Sequence, residues 1–380
     1  MQITKFAIPE VIFGNGSIKY LASCAHRLGA RRIFLVSDPG LEASGWVERI
    51  IDILRKDKLE CVFFNEISSN PRDWQVHKGA ELYLEQNADA IIGLGGGSPI
   101  DGAKGIATIV SNGGRIRDYE GANRIMRPLP PMIFIPTTAG SGSDVSQYAI
   151  ITDMERHVKM SIISRSLVPN ISIIDPQILA TNPRELILAS GIDALSHAIE
   201  SYVSRLASPF TESQALNAIG LILDSITRAA EDKDLDALKN LSIASTEAGM
   251  SFSNAGLGIG HALAHSLGGR FDVLHGMVHP ILLPAVMRYN IPSCTRKMAN
   301  IARTIVGVRM ESSQTLAEQG CESLAVMFER MKIPVRLRDI VPDRSYLEQI
   351  CKMAVHDACA VTNPREADWQ DLLNICLEAW

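Results

Sequence analysis

The chain has 380 residues, 46% of them hydrophobic and 21% charged, with a formal net charge of −5. Such a profile predicts a globular protein of roughly two domains at about 150 residues each, and it excludes disordered and fibrous classes. The mildly acidic balance, without a dense Lys/Arg block, argues against nucleic-acid or membrane partners, and no apolar run approaches the ~20 residues that span a bilayer.

In chain order, RRIFLVSD (31–38) predicts a buried strand. Residues 43–57 predict a helix with Trp46, Val47, Ile50, Ile51 and Leu54 on its apolar face. CVFFNEI (61–67) predicts a second strand and 72–87 a second helix. ADAIIGLGGGSPIDGAKGIATIV reads as strand, glycine turn and helix, and PMIFIPTTAGSGSD as strand and polar loop. QYAIITD and HVKMSIIS then form a hairpin about a polar turn at 153–156. Strands alternating with helices imply a parallel sheet covered on both faces. From Asn182, a candidate N-cap followed by Pro183 at the first helical position, the periodicity is helical to the C-terminus. The expectation is an α/β domain over 1–181 and an all-helical domain over 182–380.

IIGLGGGSPIDGAK places three consecutive glycines and Ser98 between a strand and a helix. Glycines there let backbone N–H groups approach a pyrophosphate at a helix N-terminus, although a tight turn without ligand uses the same residues. Asp38, at the end of the first strand, suits a ribose hydroxyl and would repel a 2′-phosphate, favouring NAD over NADP; it also suits a simple turn before Pro39 and Gly40. The hydroxyls of PTTAGSGSD (136–144) either line a cofactor crevice or make a solvated turn.

Asp193 and His197 stand four residues apart on one predicted helix, and His261 and His265 repeat that spacing on another. His275 follows after a glycine-bearing break. One carboxylate with three imidazoles is a ligand set for Fe²⁺ or Zn²⁺, and without thiolates it points to a catalytic site with an open position. The rival reading, an ordinary helix-surface or core histidine, is kept for His279, which precedes Pro280 and an apolar run, and for His26, His77, His157 and His356. Seven cysteines without a C-x-x-C pair and an N-terminus without a signal-peptide pattern predict a soluble cytoplasmic protein with reduced thiols.

GIGHALAHSLGGRFDVLHG resembles the signature of the iron-containing (group III) alcohol dehydrogenases. GGGSPIDGAK, PTTAGSGSDVS, DPQILATNPRELILASGIDALSHAIE and DACAVTNPR are similar to further blocks of that family, in the same order. The resemblance implies an N-terminal Rossmann-like nucleotide-binding domain and a helical metal-binding domain, with the active site between them. It implies metal ligands Asp193, His197, His261 and His275, and His265 beside the nicotinamide. It further implies NAD contacts at Asp38, Gly95, Gly96, Gly97, Ser98, Thr137, Thr138, Ser141, Lys159 and Leu179. Phe252 and Cys359 would line the substrate pocket, with Tyr148 at a variable pocket-side position. A homodimer or larger homo-oligomer is implied as well. Ser141 and Asp144 stand where the family more often has Thr and Glu, and Leu274 where it commonly has proline.

The expected reaction is reversible hydride transfer between a small alcohol or diol and its carbonyl product, with NAD and a divalent metal. One rival is a lyase resembling dehydroquinate synthase, which would need a basic cluster; around 193–275 only Arg205, Arg228, Lys233, Lys239 and Arg270 are present. The other is a non-catalytic nucleotide- or metal-binding protein.

Overall fold

The β-branched runs of the first half become strands of a parallel sheet. A computed structural model describes residues 5–271, 273, 275–307 and 311–380. It begins with β1 (Glu10–Phe13), α1 (Leu21–Arg27), β2 (Arg32–Val36), α2 (Pro39–Ala43), α3 (Trp46–Lys56), β3 (Glu60–Phe64) and α4 (Asp73–Glu85). There follow β4 (Ala90–Gly95), α5 (Gly97–Asn112), β5 (Gly121–Ala122), β6 (Met132–Pro136), β7 (Tyr148–Asp153), β8 (Val158–Ile163), β9 (Ile171–Ile174) and α6 (Pro176–Leu179). Six strands pair in the order β1-β9-β6-β4-β2-β3, all parallel. The expected hairpin is present: β7 and β8 pair antiparallel from Tyr148↔Ile163 to Asp153↔Val158, and β5 joins them in a separate three-stranded sheet.

Alternate strand residues face opposite sides. Ile33, Leu35, Ile92, Leu94, Ile133 and Ile135 share one buried cluster with Leu21 and Ala25 of α1 and Ile50 and Leu54 of α3. Phe34, Val36, Ile91 and Phe134 share another with Val76 and Ala80 of α4 and Ile100 and Ile106 of α5. Burying each such side chain contributes about 1.5–3 kcal/mol, and two-sided burial explains why these strands read as unbroken apolar runs. The helix expected over 43–57 is present as α3, which begins at Trp46, and the short α2 is a separate element before it. Asp38 caps α2 by accepting the Leu41 N–H at 3.0 Å, and Gly45, with φ of 83°, re-aims the chain into α3.

The chain divides into two units, Ala7–Pro183 and Arg184–Trp380, the second also taking residues up to Phe6. The described residues of the second unit form helices and turns without a strand: α7 (Arg184–Val203), α8 (Pro209–Glu231), α9 (Leu235–Ala255), α10 (Ile259–Phe271), α11 (His279–Val306), α12 (Ser313–Arg330), α13 (Leu347–Ala354) and α14 (Trp369–Glu378). Helix α7 starts one residue after Pro183, and the Asn182 amide donates to the Thr137 carbonyl at 2.6 Å. From Ile187 to Val203 every α7 residue except Ser190 is buried. A helix covered all round has no wet face for a charge, so polar groups on it must be paired or hold a cation. Among the described residues no helix is long and apolar enough to cross a membrane.

One buried cation ties the α/β unit together. The Lys104 ammonium, on α5, donates to the carbonyls of Ser146 at 2.8 Å and Tyr148 at 2.6 Å. Burial pulls this ammonium down to about 8, against the attraction of Asp101 and Asp144. Lys104→Met leaves those carbonyls and the buried carboxylates without their cation. It is expected to destabilise this unit by about 3 kcal/mol or more, read as a lower urea-unfolding midpoint; an unchanged midpoint would show that the cation contributes nothing.

Candidate active site and metal centre

Helix α7 carries Asp193, His197 and Glu200 at i, i+4 and i+7, one face of two turns. Helix α10 brings His261 and His265, and a short 3-10 turn, His275–Met277, brings His275. Around Asp193 Oδ1 the imidazole Nε2 atoms of His197, His261 and His275 lie at 3.9, 3.7 and 3.7 Å. His279 does not behave as the ordinary histidine expected from its neighbours in sequence. It opens α11, is 1% exposed, and sets its Nε2 3.2 Å from the same carboxylate oxygen. Pro280 sits in the first turn of α11, where a missing N–H is harmless, so the proline marks a helix start at the cluster.

The glycine-bearing break expected before His275 is also placed differently. Gly268 and Gly269 lie inside α10, which runs on to Phe271; Leu274 lies outside the described residues. The glycines that matter flank the ligands. The backbone N–H groups of Gly258, Gly260 and His261 donate to the Glu200 carboxylate at 3.2, 2.7 and 3.4 Å. A Cβ on Gly260 would meet Glu200 Oε1 at 2.6 Å, so only glycine admits the carboxylate this close. Glu200 also holds His261 Nδ1 at 2.5 Å. Sequence reasoning missed Glu200, although an acid two turns from Asp193 on the face that carries His197 was a usable signal.

The electrostatics follow from packing two carboxylates among imidazoles. Burial alone would raise the Asp193 carboxyl, but His197, His261, His279 and His275 hold it well below the usual carboxylate range. Glu200 is likewise lowered against burial, through His261 and the Gly260 N–H. Burial opposes charge on His261, yet Glu200 and Asp193 outweigh it and raise the imidazole to about 9. Burial pushes His197 down to about 3 against the attraction of Asp193, with the neighbouring imidazoles of His261 and His279 lowering it further. Asp193 Oδ1 and His261 Nε2 are buried without a hydrogen bond among the described residues, although they face one another. The imidazoles approach that oxygen without hydrogen-bond alignment, as donors around a common centre do. Buried oxygen and nitrogen donors of this kind fit Fe²⁺ or Zn²⁺.

His265 faces a second group. Its Nδ1 lies 2.9 Å from Asp357 Oδ2, and Asp357 also accepts the Cys359 N–H at 2.8 Å. Burial would raise Asp357, but His265 lowers it. The Cys359 thiol is driven well above its ordinary range by burial, then by Asp357 and Glu200, which disfavours the thiolate at this position. Phe252 stacks on His197 with ring centroids 4.4 Å apart. Asp357 was the unremarked first residue of the DACAVTNPR stretch. His26 and His77 make local contacts elsewhere, with the Asp57 carbonyl and the Ile116 N–H.

In the α/β unit the sheet order collects the other expected residues. β9, β6, β4 and β2 are neighbours, and from their carboxyl ends run α6 with Leu179, the loop bearing Thr137, Thr138 and Ser141, the glycine turn 95–98, and Asp38. The chain reverses direction across the sheet between β2 and β4, the switch point at which doubly wound sheets open a crevice. A Cβ on Gly97 would stand 3.0 Å from Ser141 Cβ, and one on Gly96 3.2 Å from Thr138 Oγ1, so the two loops touch. Ser98 Oγ accepts the Asn70 N–H at 3.2 Å. Lys159 lies on β8 opposite Thr152; burial raises the Asp101 carboxyl to about 6, and Lys159 is one of the groups that oppose this rise. Tyr148 heads β7, half-buried.

A parallel α/β sheet with a glycine turn at its switch point, joined in one chain to a helical unit with a buried carboxylate–imidazole cluster, defines a class of two-part dehydrogenase-like proteins. The family model for iron-containing alcohol dehydrogenase matches residues 9–176, and that for the C-terminal part of the Fe-containing alcohol dehydrogenase family matches 187–380. The chain is 34% identical over 380 residues to the NAD-dependent methanol dehydrogenase of Bacillus methanolicus, covering 99% of this chain and 100% of that protein. It is 35% identical over 381 residues to the 1,3-propanediol dehydrogenase of Klebsiella pneumoniae, covering 99% and 98%. The solved alcohol dehydrogenase from Oenococcus oeni superposes with a TM-score of 0.96 at 34% identity, covering 100% of each chain. The chain belongs to the iron-containing alcohol dehydrogenase family.

The position of His275 depends on a backbone clearance. A Cβ on Gly276 would lie 2.3 Å from the Ala189 carbonyl oxygen of α7, an atom that cannot swing aside. Gly276→Ala is expected to push His275 off the cluster and weaken Zn²⁺ retention against a chelator by at least about tenfold; retention equal to wild type would show that the turn has slack.

Proposed function

We propose that this chain is a metal-dependent, NAD(H)-linked alcohol dehydrogenase that interconverts a small aliphatic alcohol or diol with its aldehyde or ketone. The observation that carries the reading is the buried cluster of Asp193 with His197, His261 and His275, backed by the second carboxylate of Glu200. Two buried negative charges are balanced by one divalent cation, with His261 keeping its Nδ1 proton toward Glu200. Asp193, His197, His261 and His275 would hold the ion, Fe²⁺ or Zn²⁺. When bound, the ion supplies Lewis acidity to the alcohol oxygen, and NAD supplies the hydride acceptor.

The chain's own residues do the rest. Asp357 fixes His265 through Nδ1, which would leave Nε2 to take up the proton released from the alcohol and pass it to solvent. Gly95, Gly96, Gly97 and Ser98 approach the pyrophosphate at the N-terminus of α5. Asp38 binds the ribose; Thr137, Thr138, Ser141, Lys159 and Leu179 line the cofactor site. Phe252, Cys359 and Tyr148 bound the substrate. The basic residues a phosphorylated substrate would need are outside the cluster: Arg205, Arg228, Lys239 and Arg270 are exposed, and Arg205 pairs with Glu366. The reading includes a homo-oligomeric, cytoplasmic enzyme; its described cysteines are all free thiols, which suits a reducing compartment.

The deciding experiment follows absorbance at 340 nm with small alcohols, diols and aldehydes, before and after chelation and Fe²⁺ or Zn²⁺ readdition. Activity is expected to vanish with the metal and return with it. His275→Ala should lower both bound metal and turnover by about a hundredfold or more while leaving the fold intact; full activity after chelation sinks the metal-dependent reading. For the cofactor, Asp38→Ala is expected to shift the NAD/NADP ratio of kcat/KM toward NADP by roughly tenfold, because a like charge no longer opposes the 2′-phosphate. A wild-type enzyme that prefers NADP would refute the role given to Asp38.

A further inference from the structure

We infer that His279 is a fifth ligand of the same ion, giving this chain a site of four imidazoles and one carboxylate; the inference rests on the reading of Asp193, His197, His261 and His275 as ligands. Of all the imidazoles around Asp193 Oδ1, His279 comes nearest: 3.2 Å, against 3.7 Å for His261 and His275 and 3.9 Å for His197. Its Nε2 is 3.3 Å from His275 Nε2, and its ring centroid is 4.3 Å from that of His261. One donor atom each from Asp193, His261, His275 and His279 all lie within 4.8 Å of one another.

The two shortest of those spacings, both made by His279, are the ones that co-ligation demands. Two donors each about 2.1 Å from one ion, separated by about 90–110° at the ion, stand about 3.0–3.4 Å apart. The Asp193–His279 and His275–His279 separations both fall in that interval. The position is also fixed rather than adaptable. His279 is the first residue of α11, Pro280 follows it in the same turn, and its side chain is buried. Adding an imidazole to an oxygen-poor set favours borderline ions such as Zn²⁺ and Co²⁺ over Mg²⁺ and Mn²⁺, which prefer carboxylates and water.

The test uses the full-length protein loaded with Zn²⁺ for crystallography and with Co²⁺ for absorption spectroscopy, each as wild type and as His279→Asn. The Zn²⁺ structure is expected to show His279 Nε2 at about 2.0–2.1 Å from the ion. His279→Asn should weaken Zn²⁺ in chelator competition by at least about tenfold and change the Co²⁺ ligand-field bands. A wild-type Zn²⁺ structure with His279 beyond bonding distance, hydrogen-bonded to Asp193 instead, overturns the inference and leaves the four-ligand site standing; so do Co²⁺ bands unmoved by the substitution. Zn²⁺ that fails to bind, or that sits away from Asp193 and His261, refutes the underlying site and the fifth ligand together. If His279→Asn does not fold, the wild-type Zn²⁺ structure alone decides.

Discussion

Glu200 and Asp193 are ionised carboxylates two turns apart on a helix that has almost no exposed face. Placing two negative charges there is expensive unless positive charge and hydrogen-bond donors surround them. The helical unit supplies both. The first turn of α10 offers three backbone N–H groups to Glu200, and imidazoles from α7, α10, the 275–277 turn and α11 ring Asp193. His261 answers part of this demand, since Glu200 and Asp193 raise its imidazole to about 9 against burial and so favour a proton on it. A divalent cation meets it more fully, because it adds one more positive charge than that proton.

In the α/β unit the governing constraint is topological. Strands β2 and β4 are neighbours, but the chain leaves them in opposite directions across the sheet. Their carboxyl ends cannot both be roofed by the same connection, and Asp38 and the glycine turn are left bordering the gap. The two loops approach so closely at Gly97 and Ser141 that a side chain at position 97 would crowd its neighbour. Lys104, on the helix that starts at the glycine turn, ties α5 to the start of β7 by donating to the Ser146 and Tyr148 carbonyls.

Much of this was legible in the sequence, and the reasons are local ones. Runs such as RIFLV and AIIGLG are β-branched and apolar over strand length, and their fate as central strands follows from burial on both faces. The pairs Asp193/His197 and His261/His265 carry their helical spacing openly. What spacing cannot reveal is which side chains meet across elements. His279 read as a bystander because its neighbours are Pro280 and an apolar run; only the packing of α11 against α7 brings its Nε2 to 3.2 Å from Asp193 Oδ1. Glu200 and Asp357 escaped notice for a related reason: each acts through a histidine on another segment. The short α2 before Gly45 was missed because none of its residues is buried, so it leaves no apolar pattern to read.

The bonding of Glu200 has a consequence for how this enzyme tolerates change. One carboxylate holds the ring of His261 and the backbone of the turn that carries it, while Gly258 and Gly260 provide the space. These four positions therefore behave as one inherited unit. Damage at any one of them forfeits nearly the whole arrangement, so a second change within the set adds little further harm. Repair by a single substitution is correspondingly blocked, because no one change restores both the carboxylate's bonds and the space that the glycines leave.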